Sequence, residues 1–166
     1  MSIIYLRRSV RKYQKKDVGD EIVTELLRAA MHAPSAGNAQ PWHFTVIRSE
    51  EKKQRIAEAH PYARMVLQAP VAILVCADPS LEIYKGFWVQ DCSAATMNIL
   101  LRAVELGLGA VWCGVYPNEE RVEAFRKIFG LPEHVVPFSI VPVGYPAETP
   151  KLVDRFKLER IHYEVW

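Results

Sequence analysis

Five polar or cationic side chains crowd into a short stretch near the start of the chain: Arg7, Arg8, Ser9, Arg11 and Lys12, with no carboxylate before Asp17. A guanidinium presents a planar fork of N–H donors, the shape that grips a doubly charged oxyanion, and a serine hydroxyl adds one more hydrogen bond. Arg7 and Arg11 are spaced to share one face if this segment is a helix-like turn. Read alone, the run suits a solvated basic terminus at least as well. A second stretch, APSAGNAQPWHF from Ala33 to Phe44, gathers small and amide-bearing residues before a Pro-Trp pair. Pro34 ends whatever helix precedes it, and Ser35, Gly37 and Asn38 suit turns or left-handed backbone. The loop is polar between apolar elements, so its groups can face a ligand in a cleft or serve only as a connection.

Other chemistries find little support. Cys76, Cys92 and Cys113 lie far apart among apolar neighbours, which reads as reduced core thiols. His43 and His60 read as surface or capping residues rather than ligands. Gly107 and Gly109 begin a glycine pattern, but Trp112 stands where a third glycine belongs, and the stretch leads into a strand, so a Rossmann fingerprint fails. No phosphate-binding P-loop, HExxH, CxxC or GxSxG motif is present, and nothing in the spacing supports a Cys113–His32 hydrolase.

These side chains need a frame. DEIVTELLRAAMHA carries an apolar stripe at helical spacing that stops before Pro34. A strand is expected from about His43, then an exposed helix capped by Ser49, then a short helix over Ala63 to Gln68. PVAILVCAD is a continuous apolar run of strand length, the pattern of a strand buried on both faces. The segment from Phe87 to Leu106 is too long for a strand and apolar nearly all round, which predicts a central buried helix stopped by Gly107. GAVWCGVY and PFSIVPVGY predict two more buried strands around an amphipathic helix, and Pro142 predicts an edge or a bulge in the second. The tail, ending Tyr163, Val165, Trp166, is too apolar to float free and is expected to dock on the body or on a second subunit. The sum is an α+β or mixed α/β class: one sheet of at least four strands sandwiched by helices.

At 166 residues, half hydrophobic and 24% charged, the chain reads as one globular domain over residues 1–166. A net charge of +2, with basic and acidic residues interleaved, gives no case for nucleic acid. Asp91, Arg102 and Glu105 break the longest apolar stretches, no secretory leader is visible, and the expected setting is cytoplasmic without a membrane span.

RRSVRKY followed by APSAGNAQPWHF resembles the FMN-dependent nitroreductase family. WVQDCSAATMNILLRAVELGLGAVWCG is similar to that family's central dimer helix and following strand, and DRF in the tail to the ending of a short-chain member. The resemblance spans essentially the whole chain. It implies a nitroreductase-like α+β fold with a mixed or antiparallel sheet of four to five strands, a long buried helix, and a tail docked on a partner subunit. FMN is the implied cofactor and NADH or NADPH the electron donor. Arg7, Arg8, Ser9 and Arg11 would gather at the phosphate, with Arg155 closing over it. Pro34, Ser35, Ala36, Asn38 and Gln40 would meet the flavin ring, in part that of the other subunit. The backbone of Trp112, Cys113 and Gly114 would pass beside the ring near N5. The partners implied are a second copy of the chain, with FMN sites at the interface, and a small-molecule acceptor.

The implied reaction is a ping-pong oxidoreduction. NAD(P)H gives a hydride to flavin N5 and leaves, and a nitroaromatic, quinone or flavin takes the electrons from the same slot. Hydride transfer requires no side-chain acid or base, so no catalytic residue is assigned. Three alternatives stand beside this: a flavin-binding or storage protein without NAD(P)H turnover, a family member with other flavin chemistry such as reductive dehalogenation, and a non-flavin α/β domain whose basic terminus meets an acidic partner or nucleic acid.

Overall fold

The computed structural model describes residues 2–166. Helix α1 (Ile3–Leu6) is a single turn, and α2 (Asp20–Met31) follows an extended segment. Strand β1 (Trp42–Ile47) leads to α3 (Glu50–Ala59), a 3-10 turn at Pro61–Leu67, and β2 (Val71–Ala77). The long α4 (Trp88–Glu105) precedes the two-residue strands β3 (Gly109–Ala110) and β4 (Cys113–Gly114), then α5 (Glu119–Phe129) and β5 (Val136–Gly144). All strand pairs are antiparallel in the order β1-β2-β5-β3, with β4 also on β5. The expected α+β class and the helix-flanked sheet are both present.

The apolar run of β2 explains the layering. Every residue of β2 is buried, and side chains alternate between the two faces of a strand. Val71, Ile73, Val75 and Ala77 enter the core beneath α2 and α4, while Ala72, Leu74 and Cys76 enter the core beneath α3 and α5. Helix α4 buries Cys92, Ala95, Thr96, Ile99, Leu100 and Ala103 against the sheet. Its opposite face is less covered than the all-round apolar pattern suggested: Ala94, Leu101 and Val104 are half-buried, and Met97 is 39% exposed.

GAVWCGVY does not form one continuous strand. β3 and β4 keep one register against β5, Ala110 opposite Val143 and Cys113 opposite Ile140, and the gap between them faces Pro142. Proline carries no N–H, so the ladder breaks on the neighbouring strand. Pro142 therefore sits neither at an edge nor at a bulge. The β2–β5 register shifts instead at Val75/Cys76, leaving Phe138 as the extra residue on β5. The Phe138 carbonyl then accepts from both Val115 N (3.0 Å) and Tyr116 N (3.1 Å).

The arginine-rich segment is extended rather than helical. α1 stops at Leu6 with Arg7 as its C-cap, Ser9 bridges Ala110 in parallel, and Val10 N donates to the Ala110 carbonyl at 3.0 Å. A Cβ on Gly109 would stand 2.6 Å from Val10, so this close approach requires glycine. The expected shared helix face of Arg7 and Arg11 is therefore absent, and the two border different cavities. The expected helix at Ala63 to Gln68 is a 3-10 turn. Residues 151–166 are all exposed, and the base of the tail meets its own chain where Arg8 donates to the Lys151 and Val153 carbonyls.

Candidate functional site

The sequence-predicted residues fall into three places. A cavity of about 730 Å³ is bordered by Arg7, Arg8 and Arg155, with Tyr5 and Phe156. Burial, then Arg155, then Arg8, push the Arg7 guanidinium below its ordinary pKa. Like charges crowd there, and among the described residues Arg7 has no carboxylate within 4.0 Å. Arg8 differs from Arg7. Its guanidinium donates to the carbonyls of Tyr5 (2.9 Å), Arg7, Lys151 (3.1 Å) and Val153 (3.4 Å), tying the N-terminus to the base of the tail. Its donors are committed to backbone; those of Arg7 and Arg155 are not.

Arg11 lies instead on a second cavity of about 540 Å³ with Trp112, Cys113 and Gly114. Its backbone N–H is held by Glu148 Oε1 at 2.6 Å. Arg64 and Arg121 line the same cavity, with Tyr62, Met65 and Asn118, and no carboxylate contributes to its wall. The Arg121 guanidinium lies 5.5 Å from the centre of the Tyr62 ring and donates to the Gly114 carbonyl at 3.3 Å. Burial lifts the Cys113 thiol to about 11, and the thiol donates to the Tyr62 carbonyl at 3.7 Å, so it is no nucleophile at neutral pH. All three cysteines are buried and unpaired, as expected.

The loop from Pro34 to Gln40 forms neither cavity. Ser35 Oγ accepts from Gln40 N at 3.0 Å, and Gln40 Nε2 donates to Asn38 Oδ1 at 3.0 Å. Asn38 (φ 56°) and Gln40 (φ 50°) are left-handed, an uncommon state for residues with side chains. Gly37 (φ 61°) packs so closely that an added Cβ would meet Ile83 at 3.0 Å and Tyr84 at 3.1 Å. Ala36 N donates to Asp91 Oδ1 at 3.0 Å, pinning the loop to the first turn of α4. Asp91 Oδ2 is buried without a partner. Ser9 lines neither cavity and contributes its backbone to the bridge with Ala110.

Sequence reading missed His60, Tyr62, Arg64, Met65, Asn118 and Arg121. His60 does close α3, donating its backbone N–H to the Ile56 carbonyl at 2.9 Å, but it is 1% exposed rather than on the surface. The available signal for Arg121 was a cation in the first turn of a helix, where the macrodipole disfavours it. Among the described residues no group of three or more His, Cys, Asp or Glu could hold a metal ion, and no helix is long and apolar enough to cross a membrane.

The donor set suits FMN: three arginines against the single carboxylate of Asp154 where a phosphate needs cations, and a strand interrupted beside a second, carboxylate-free cavity. Known proteins share this fold. A Methanothermobacter thermautotrophicus protein provisionally named NADH dehydrogenase/NAD(P)H nitroreductase is 57% identical over 166 residues, covering 100% of this chain and 87% of that protein. A Clostridium acetobutylicum structure provisionally named NADH oxidase superposes with a TM-score of 0.96 at 44% identity, covering 99% of this chain and 100% of that one. An FMN-dependent nitroreductase from Clostridium difficile R20291 has a TM-score of 0.92 at 27% identity, covering 99% of each chain. The model of the nitroreductase family matches residues 4–60 and 60–145, and this chain belongs to that family.

Proposed function

We propose that the protein is an NAD(P)H-dependent FMN oxidoreductase, a single domain acting as a cytoplasmic homodimer on a small acceptor such as a nitroaromatic, a quinone or a flavin. The observation that carries this is a pair of cationic cavities whose arginines have no carboxylate partner among the described residues, split between Arg7 with Arg155 and Arg11 with the Trp112–Gly114 strand. Bound there, FMN supplies the means to take a hydride from a nicotinamide and pass electrons to a second molecule.

Arg7 and Arg155 neutralise the phosphate with charge-assisted hydrogen bonds, and Arg8 holds the tail so that Arg155 stays beside Arg7. Arg11 and Arg64 place positive charge in the ring cavity, where it favours an electron-rich flavin. The Trp112–Gly114 backbone approaches the ring, and Gly114 leaves room for it. The Pro34–Gln40 loop completes the site from the partner subunit. Two features support a dimer: Ala94, Met97, Leu101 and Val104 form an incompletely buried apolar stripe at heptad spacing on α4, and the tail leaves Phe156 and Trp166 exposed. The three unpaired thiols suit a reducing compartment.

The test is the visible spectrum of the purified protein, followed by anaerobic NADPH and then a quinone. FMN released on denaturation, bleaching by NADPH and recovery with the quinone are expected. A colourless protein that takes up no added FMN overturns the reading; bound flavin that NADPH fails to bleach overturns the enzyme and leaves a flavin carrier.

A further inference from the structure

The Gly114 carbonyl receives two side-chain donors from separate elements. His60 Nε2, at the end of α3, lies 2.8 Å from it, and Arg121, in the first turn of α5, reaches it at 3.3 Å. A carbonyl only accepts, so Nε2 carries the proton and Nδ1 holds a lone pair. Nδ1 is buried and unpartnered, and a protonated ring would require desolvating a cation there beside Arg121. Burial accordingly keeps this imidazole below its ordinary pKa. The adjoining Val115 N–H is fixed on the Phe138 carbonyl at 3.0 Å. The peptide unit after Gly114 is thus held at both ends, on a strand only two residues long.

A pure packing residue here would be apolar. Phe125 and Tyr62, edge-on to the ring at 6.3 and 6.4 Å, already supply an apolar and aromatic surround. The polar ring instead spends its one donor on the cavity-lining strand. We propose that His60, with Arg121, is a positioning residue pair that fixes the Gly114 peptide against the flavin ring and tunes the flavin's reduction potential. This rests on the reading that the Trp112–Gly114 backbone borders FMN. Two donors on one carbonyl offset its negative end, and the Arg121 cation adds positive charge to the cavity wall, which favours reduced over oxidised flavin.

The experiment compares wild type with His60→Leu, His60→Gln and Arg121→Gln. FMN affinity is followed by fluorescence quenching, and the midpoint potential is measured at saturating FMN. His60→Leu is expected to weaken FMN binding about three- to tenfold, the scale of one neutral hydrogen bond. It should also weaken the hold on reduced FMN at least threefold more than on oxidised FMN. That difference lowers a two-electron potential by about 14 mV. His60→Gln, which can donate from a similar place, should recover most of both changes. In the flavin-free wild type, nitrogen NMR of His60 should report a neutral ring protonated on Nε2 at neutral pH.

Unchanged affinity and potential in His60→Leu overturn the proposal, as does an imidazolium or an Nδ1-protonated ring. Should His60→Leu fail to fold, the half-buried Arg121 carries the test: an unchanged potential in Arg121→Gln overturns the pair's role. Failure of wild type to bind FMN would instead overturn the flavin reading, and the NMR result would still decide whether the clamp exists.

Discussion

Two sets of arginines in this molecule are built differently. Arg48 binds Asp17 Oδ1 (3.0 Å), Asp20 Oδ1 (2.8 Å) and the Val18 carbonyl (2.6 Å), and Arg102 lies between Glu25 (2.6 Å) and Glu105 (2.7 Å). Each joins α2 to another part of the chain, and its charge is spent on doing so. Arg7, Arg11, Arg64, Arg121 and Arg155 border cavities and have no carboxylate partner among the described residues. Chains rarely gather cations without acids unless something else neutralises them, because self-repulsion costs stability. The difference separates charges that hold the fold from charges reserved for a ligand, and substitutions in the two sets should diverge.

The largest effect is expected at Arg7. Arg7→Gln removes a charge-assisted bond to a phosphate and should weaken FMN binding by about 1.5–3 kcal/mol, with Arg11→Ala falling in the same range. Equilibrium dialysis of the apo-protein measures this, and full flavin retention by both variants would break the comparison. Relief of repulsion from Arg8 and Arg155 should leave the Arg7→Gln apo-protein no less stable than wild type. Loss of FMN without loss of stability is the signature of a ligand-directed charge.

Asp91 presents the converse case, a buried carboxylate without a cation. Asp91→Ala strips the Ala36 N–H of its acceptor and should destabilise the fold by about 1–3 kcal/mol in urea unfolding. Asp91→Asn retains an acceptor at that position and should cost less. Equal effects of the two would show that the Ala36 bond is not what the side chain contributes.

These contrasts also mark how far the sequence could be read. The two-faced burial of β2 was visible because seven consecutive apolar residues admit little else. α4 was visible as a helix, but the less covered stripe at Met97 was not, since a single chain's periodicity cannot say which apolar face meets itself and which meets a copy. Pro142 was correctly marked as a disturbance, yet its effect appears on the opposing strand, which only the register reveals. Arg7 and Arg11 were expected to share the face of a helix-like turn, but the segment is extended and the two border different cavities, because spacing alone does not fix the backbone. Motif likeness put Arg11 with Arg7 at the phosphate and did not place it beside Trp112–Gly114, where it lies. His60 and Arg121 could not be found that way: they meet at Gly114 from two helix ends, and no local pattern encodes that meeting.

His60 sharpens the distinction through pH. Burial lowers its folded pKa below the unfolded value of 6.5, so the unfolded state binds a proton that the folded state refuses. Its contribution is therefore fully present above the unfolded pKa and is lost as pH falls through that value toward the folded one. The urea midpoint should fall on acidification below about pH 6.5, and His60→Gln should flatten that part of the profile. A wild-type profile that is flat there would argue for an exposed, ordinary imidazole.

The smallest effect is expected at Arg48. Its carboxylate partners are largely exposed, so solvent and side-chain entropy offset most of the Coulomb gain. Arg48→Gln should cost about 0.2–1 kcal/mol of stability, diminish further in high salt, and leave FMN affinity unaltered. A fall in FMN affinity comparable to that of Arg7→Gln would mean that pairing with carboxylates does not distinguish structural from ligand-directed arginines here. A stability loss confined to Arg48→Gln and an affinity loss confined to Arg7→Gln would establish the division, because each variant removes one guanidinium and the two differ in what that guanidinium faces.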